Sequence, residues 1–294
     1  MTTTPTVAWI GLGAIGAPMA RTAATAGFPV TAFDLHPAAR DALADVAAPA
    51  ASAREAARGA DVVVVMVATP PQLEAVLWGE DGIAEVLTEA TTVLVMSTVG
   101  PAAIEQAAAR LAGTTTRIVD APVSGGTARA AQGDLLIMVG GAEEHVAAVR
   151  PLLDALAANA PVVGEIPGDG QRFKIVNQLL CGVHLAAAGE ALALADAMGL
   201  DLAQVHEVLG TGAAASFMFG DRGARMVDGA FDDVRSALTI FVKDMGLVAE
   251  AAAQVEQEVP LAASAQQLYQ RGSALGWDRR DDSIVYEVLR GGTD

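Results

Sequence analysis

The chain changes character along its length in the spacing of its apolar positions. Short continuous apolar runs recur at 7–10, 29–33, 61–67, 93–96, 117–119, 135–139 and 161–163, and helix-spaced stretches lie between them: after Gly16, after Pro70 and Pro71, from Pro101, and over 143–156. Runs of this kind suit strands of a parallel sheet covered on both faces. The alternation predicts an α/β doubly wound domain over 1–165. Past Met198 the strand signal stops, and 201–209, 216–227, 236–256, 260–274 and 281–290 read as helices, several opened by Asp, Ser or Pro and closed by Gly. An all-α domain over 166–294 follows. Its first element, an Ala- and Leu-rich helix from Gly170 to Met198, is expected to join the two domains. On that helix Lys174, Asn177, Gln178, Cys181 and His184 share one stripe. Phe173, Val176, Leu180, Val183 and Ala187 share the neighbouring one, read as a buried seam beside a polar cleft wall.

The first run leads directly into Gly11-Leu12-Gly13-Ala14-Ile15-Gly16, then a helix, then a second strand closed by Asp34. In this βαβ setting the glycines permit a tight turn and close approach of a pyrophosphate to the backbone at the positive end of a helix. The domain therefore reads as Rossmann-type. An acid at Asp34 suits the two hydroxyls of an adenosine ribose and repels a 2′-phosphate, so NAD is expected over NADP. His36 and Arg40 lie close enough in sequence to soften that preference.

Composition narrows the partners. A formal charge of −17 argues against nucleic acid and anionic membrane, and an anionic substrate would need a local basic pocket. A single cysteine excludes an intramolecular disulfide, and the four histidines have no metal-ligand spacing, so no metal is expected. The polar start does not read as a signal peptide, and the apolar runs look too short or too interrupted by charge to span a bilayer. A cytoplasmic protein without membrane partners is the expectation.

Among 18 basic residues, all but Lys174 and Lys243 are arginine. Arginine stays protonated, whereas a desolvated lysine can release its proton and act as a base. Lys174, among glycines and amides, is the candidate catalytic group. Ser124-Gly125-Gly126 follows the apolar run at 117–119, where α/β sheets bind ligands. It is either a plain turn or a cradle of backbone N–H groups beside a hydroxyl, suited to a carboxylate. Lys243 with Asp244, and Arg222 with Arg225, are the remaining basic clusters. Arg225 reads as part of a solvated helix face, and Cys181 and His184 as packed helix residues.

Taken in order, Gly11-Leu-Gly-Ala-Ile-Gly-Ala-Pro-Met19, Asp120-Ala-Pro-Val-Ser-Gly-Gly126, Gly168-Asp-Gly-Gln-Arg-Phe-Lys174-Ile-Val-Asn177 and Lys243-Asp-Met-Gly246 resemble the motifs of the β-hydroxyacid dehydrogenase family. That family includes 3-hydroxyisobutyrate dehydrogenase and tartronate semialdehyde reductase. Residues 177–190 and the stretch from Ser216 to Leu247 look most like its L-threonate dehydrogenase branch. The resemblance implies that Ser124, Gly125 and Gly126 hold the carboxylate of a small anionic hydroxy acid and that Lys174 exchanges the proton of its hydroxyl. It also implies that Ser97 and Thr98 approach the cofactor ribose, that Lys243 and Asp244 lie near the nicotinamide, and that the protein is a homodimer or homotetramer. Many members carry Asn four residues after the lysine; Gln178 stands there and Asn177 one earlier, so either amide is a candidate substrate contact.

The function expected is NAD-dependent oxidation of a small hydroxy acid, with a four-carbon sugar acid such as L-threonate favoured. 3-Hydroxyisobutyrate and tartronate semialdehyde chemistry are the alternatives. A decarboxylating enzyme like 6-phosphogluconate dehydrogenase is disfavoured, because the glutamate such enzymes place two turns beyond the lysine is Cys181 here. Imine reductases on this scaffold usually replace the lysine. A sensor that binds NAD without chemistry would have no use for Lys174 and Ser124.

Overall fold

The computed structural model describes residues 4–112 and 117–291. Residues 1–3, the start of the polar N-terminal stretch, lie outside them. The chain forms two compact units, Met1–Lys174 and Ile175–Asp294.

In the first unit β1 (Val7–Ile10), β2 (Val30–Phe33), β3 (Ala48–Pro49), β4 (Val62–Val65), β5 (Thr92–Val95) and β6 (Arg117–Asp120) pair in parallel in the spatial order 3-2-1-4-5-6. This is the doubly wound arrangement, and its order reverses between β1 and β4. Helices α1 (Gly16–Thr25), α2 (Pro37–Asp41), α3 (Ala53–Ala57), α4 (Pro70–Trp78) and α5 (Pro101–Leu111) make the crossovers.

The apolar runs are continuous because both faces are covered. Trp9, Val64 and Leu94 point into a core closed by Met19 and Ala23 of α1, while Ile10, Val65 and Val95 point into one closed by Leu77 of α4 and Ile104 of α5. Local chemistry places the ends: Thr69 and Gln72 form a capping box ahead of Pro70 and Pro71.

The run at 135–139, expected as one strand, divides. After β7 (Val123–Ser124) and α6 (Gly126–Gln132), β8 (Leu135–Ile137) pairs antiparallel with β7 in a small second sheet. β9 (Val139–Gly140) joins the main sheet, antiparallel to β6. Between them Met138 donates its N–H to the Pro122 carbonyl, which carries the chain from one sheet to the other. α7 (Glu143–Leu156), β10 (Ala157–Asn159) and β11 (Val162–Gly164) complete the unit.

The unit boundary falls inside α8 (Asp169–Ala197), a helix of 29 residues. The second unit continues with α9 (Leu202–Leu209), α10 (Phe217–Asp228), α11 (Leu238–Gln254), α12 (Pro260–Ala274) and α13 (Val285–Arg290). Asp201 and Ser216 cap α9 and α10 through their side chains. The 281–290 stretch starts as a 3-10 turn at Asp282–Ile284 rather than as α-helix.

Around α8, Leu185 and Leu192 pack in one core with Phe241, Met245, Tyr269 and Val285. A side chain at Gly182 would stand 2.3 Å from the Met245 sulfur, so any larger residue there would have to displace the Met245 side chain of α11. By length and composition α8 is apolar enough to cross a membrane, contrary to the expectation from its interrupting polar residues. A helix at the centre of a core meets the same criterion, and its fully buried Leu185 and Leu192 are in that position.

Candidate functional site

The glycine-rich turn sits at the carboxyl end of β1, beside the point where the strand order reverses. Gly11 has φ +100°, and a Cβ there would stand 2.1 Å from the Met66 carbonyl oxygen; one at Gly16 would stand 2.2 Å from that of Gly11. Both positions admit glycine alone. Gly13 differs, because nothing lies within 4 Å of where its Cβ would be. Leu12, Ala14 and Ile15 complete the turn, and Leu12 donates its N–H to Asp34 Oδ2 at 2.7 Å. Asp34 Oδ1 accepts from the His36 N–H at 2.9 Å, so the acid ties the end of β2 to the turn. Arg40 lies over the Phe33 ring at 5.7 Å and donates to the Ala50 carbonyl at 3.0 Å.

At the end of β5, Ser97 is buried, and its hydroxyl accepts from the Val67 N–H at 2.7 Å and donates to the Val65 carbonyl at 3.2 Å. That hydroxyl therefore binds the neighbouring strand end. Thr98, next in the chain, is half-buried. Past β6, Ser124 ends β7, and Gly125 and Gly126 follow with φ +147° and +75°. Two successive residues in this region turn the backbone sharply beside the hydroxyl, and Gly126 has open space where a Cβ would be.

Lys174 lies on α8 and is only 5% exposed. The stripe that holds it is arranged opposite to the expectation. The seam read as buried is open, with Phe173, Val176 and Leu180 at 54%, 62% and 49% exposure, while the polar side has Gln171, Lys174 and Gln178 buried. Helical spacing separated the two faces correctly, but which face is buried depends on what packs against it.

In the second unit, Gln178 donates to Asp244 Oδ2 on α11, and the Lys243 ammonium lies 2.8 Å from Asp244 Oδ1. Asn177 donates through one amide nitrogen to Gln178 Oε1 at 2.8 Å and to the Cys181 sulfur at 3.5 Å. The polar stripe thus becomes a chain from Asn177 through Gln178 and Asp244 to Lys243. Cys181 is half-buried and His184 is exposed, so His184 is not a packed residue. Nor is Arg225 solvated. It is buried on α10, pairing with Asp281 at 2.9 Å and with Asp221, while Arg222 pairs with buried Asp282 at 3.2 Å. Among the described residues no group of three or more His, Cys, Asp or Glu side chains is placed to hold a metal ion.

The chain has clear relatives among known proteins. Residues 6–164 match the family described as the NAD binding domain of 6-phosphogluconate dehydrogenase, and residues 168–289 the family described as NAD-binding of NADP-dependent 3-hydroxyisobutyrate dehydrogenase. The L-threonate dehydrogenase of Escherichia coli K12 is 37% identical over 96% of this chain and 94% of its own length. The 2-hydroxy-3-oxopropionate reductase of the same organism is 33% identical over 96% of both chains. The crystal structure of a 3-hydroxyisobutyrate dehydrogenase from Salmonella typhimurium superposes with a TM-score of 0.89, at 40% identity over 96% of this chain and 99% of that one.

The chain belongs to the β-hydroxyacid dehydrogenase family. It is an NAD-dependent oxidoreductase of hydroxy acids, with a Rossmann-type first domain and a helical second one. The turn fits that cofactor: Gly13 leaves free the space a pyrophosphate would take, between two glycines that fix the shape of the loop.

Two buried residues of this dehydrogenase went unremarked in the sequence. Asp120 accepts from the Gly168 and Gln171 N–H groups, both at 2.7 Å, and Gln171 reaches the loop after β5. Burial pushes the Asp120 carboxyl up to about 7, against the downward pull of those two N–H groups. The signal was available, since Asp120 opens the Asp-Ala-Pro-Val-Ser segment and Gln171 stands three residues before Lys174.

Proposed function

We propose that this dehydrogenase oxidises a small hydroxy acid, a four-carbon sugar acid such as L-threonate being favoured, with Lys174 taking the hydroxyl proton. The burial of Lys174, one of only two lysines in an arginine-rich chain, carries this reading. An amine out of water loses the solvation that favours its charged form, which suits a proton acceptor. Bound NAD supplies the hydride acceptor. Gly11 to Gly16 hold its pyrophosphate, Asp34 its adenosine ribose, Thr98 and the Ser97 backbone approach its second ribose, and Lys243 with Asp244 lie near the nicotinamide. Asp34 is already oriented by two N–H donors, and Arg40 is engaged elsewhere, both of which support NAD over NADP.

Ser124, Gly125 and Gly126 hold the substrate carboxylate; the two positive φ values support a cradle over a plain turn. Of the two amides, Asn177 contacts substrate and Gln178 orients it, since Gln178 is buried and committed to Asp244. The exposed apolar face of Phe173, Val176 and Leu180 supports a homodimer or homotetramer. A chain with a single cysteine suits a cytoplasmic enzyme.

The test is NADH formation by the purified protein with L-threonate beside D-threonate, the erythronates, 3-hydroxyisobutyrate, glycerate and serine, each with NAD and NADP. The expected result is a strong preference for one four-carbon acid with NAD. Turnover of a three-carbon or branched acid alone would overturn the substrate assignment and leave the family intact. Lys174→Ala should lower kcat by about 10²- to 10⁴-fold while NAD affinity stays near wild type; unchanged turnover would remove Lys174 as the acid/base.

A further inference from the structure

Gln171 is fully buried on the first turn of α8, and all its polar atoms are engaged at one place. Its Oε1 accepts from the Val99 and Gly100 N–H groups, each at 3.0 Å, and its Nε2 donates to the Ser97 carbonyl at 2.9 Å. These three groups belong to the loop that leaves β5, where Gly100 turns at φ +82° into α5. The Gln171 main chain is fixed as firmly, because its N–H and that of Gly168 both meet the Asp120 carboxyl at the end of β6. The approach requires glycine on two sides. A Cβ at Gly170 would stand 2.4 Å from the Met138 carbonyl oxygen, and one at Gly140 would stand 2.7 Å from Asp120 Oδ1. Lys174 follows Gln171 by three residues, one turn along the same helix.

We propose that Gln171 is a positioning residue of the reaction: it locks the 97–100 loop to the helical turn that leads to Lys174, with Asp120 fixing that turn on the sheet edge. The inference rests on the reading of Lys174 as acid/base. Buried loop amides need acceptors, and no strand continues there to supply them. One amide side chain satisfies two N–H groups and one carbonyl, so the cofactor-side loop and the start of α8 are held at a fixed separation. Misplacing a catalytic group by about 1 Å can cost about 100-fold in rate.

Gln171→Met keeps the length and removes all three bonds. The Val99 and Gly100 amides should then exchange with solvent at least about tenfold faster. Alongside this, kcat should fall by about 10- to 100-fold, with the KM for the hydroxy acid within about twofold of wild type. Gln171→Glu restores the acceptor at every pH, but the donor to Ser97 only while the carboxyl is protonated. Its activity relative to wild type should rise by at least about fivefold from pH 8 to pH 6. The charged groups around it are Asp120 from β6, Glu105 from α5, and Asp169, Arg172 and Lys174 on its own helix; all are present in wild type, whose pH profile is the reference, and Asp120→Asn combined with Gln171→Glu separates the new carboxyl from its nearest titrating neighbour.

Wild-type kcat in Gln171→Met, or unchanged exchange at Val99 and Gly100, would overturn the proposal. If that variant does not fold, a Gln171→Glu ratio flat with pH would do so. Lys174→Ala run in parallel separates the two ideas. Turnover surviving in Lys174→Ala strikes the acid/base reading alone, because exchange at Val99 and Gly100 and the kcat of Gln171→Met still decide the clamp.

Discussion

The two units bury polar side chains in different ways. In the sheet unit such groups bind main chain: Ser97 joins Val67 to Val65, Gln171 holds the 97–100 loop, and Asp120 holds the start of α8, as the half-buried Asp34 takes the Leu12 and His36 N–H groups. In the helical unit the buried groups also pair with one another, Arg225 with Asp281, Arg222 with Asp282, and Gln178 with Asp244, while Asp281 takes the Arg235, Ser236 and Ser283 N–H groups as well. The difference follows from the backbone. Loops at the carboxyl ends of parallel strands leave N–H and C=O groups without ladder partners, and side chains must satisfy them. Helices satisfy most of their own backbone, so a charge buried between them is matched chiefly by another side chain. The cofactor turn therefore depends on individual side-chain acceptors, and the helical unit on matched charges.

The largest effect should come from breaking a matched charge. Arg225→Leu leaves Asp281 and Asp221 without their common partner and should cost about 3–5 kcal/mol. Hydrogen exchange should show the loss in helices α10 to α13 and leave the Rossmann unit protected. Loss spread evenly over both units would contradict the division.

Next comes the pH dependence of two buried aspartates, which should run in opposite directions. The folded-state pKa of Asp120 is raised by burial to about 7, so its contribution is complete below the unfolded pKa near 4 and is lost as pH rises through about 7. Asp281 is pushed up by burial but pulled further down by the Ser283 hydroxyl, the Arg235 N–H and Arg225. Its contribution is present above the unfolded pKa and lost as pH falls through the lower folded value. Measured against pH, the stability difference between wild type and Asp120→Asn should change by up to about 4 kcal/mol between pH 4 and 7. That for Asp281→Asn should change only in acid. Parallel profiles would show that the Ser283 hydroxyl and the Arg225 charge add nothing to what N–H groups alone do for a buried carboxylate.

A smaller effect is expected at the cofactor turn. Asp34→Asn keeps one acceptor and removes the charge, which should raise the KM for NAD by about tenfold, the order of one charge-assisted hydrogen bond. Unchanged KM would remove Asp34 from ribose recognition. Smallest of all, Arg21→Ala breaks an ion pair with Asp45 that is exposed on both sides, and its unfolding midpoint should match wild type.

Much of this was legible in the chain itself. Continuous apolar runs gave the parallel strands because covering both faces removes the need for polar alternation, and the glycine turn could be read because its conformation excludes other residues. The four ordered motifs identified the family, and scarcity of lysine singled out Lys174. Tertiary structure decided the rest. Periodicity divides a helix into faces, but only packing determines which one is buried, and α8 buries Lys174 and Gln178 of its polar stripe while it exposes Phe173, Val176 and Leu180. Charge counting cannot reveal that Arg225 is matched by Asp281, 56 residues away. The apolar run at 135–139 divides between two sheets because its two halves pair with different strands, β7 and β6, on either side of Met138. Composition and period are local properties, whereas the partner of a buried polar group is set by segments distant in the chain, and Gln171 and Asp120 became visible only once those segments were in place.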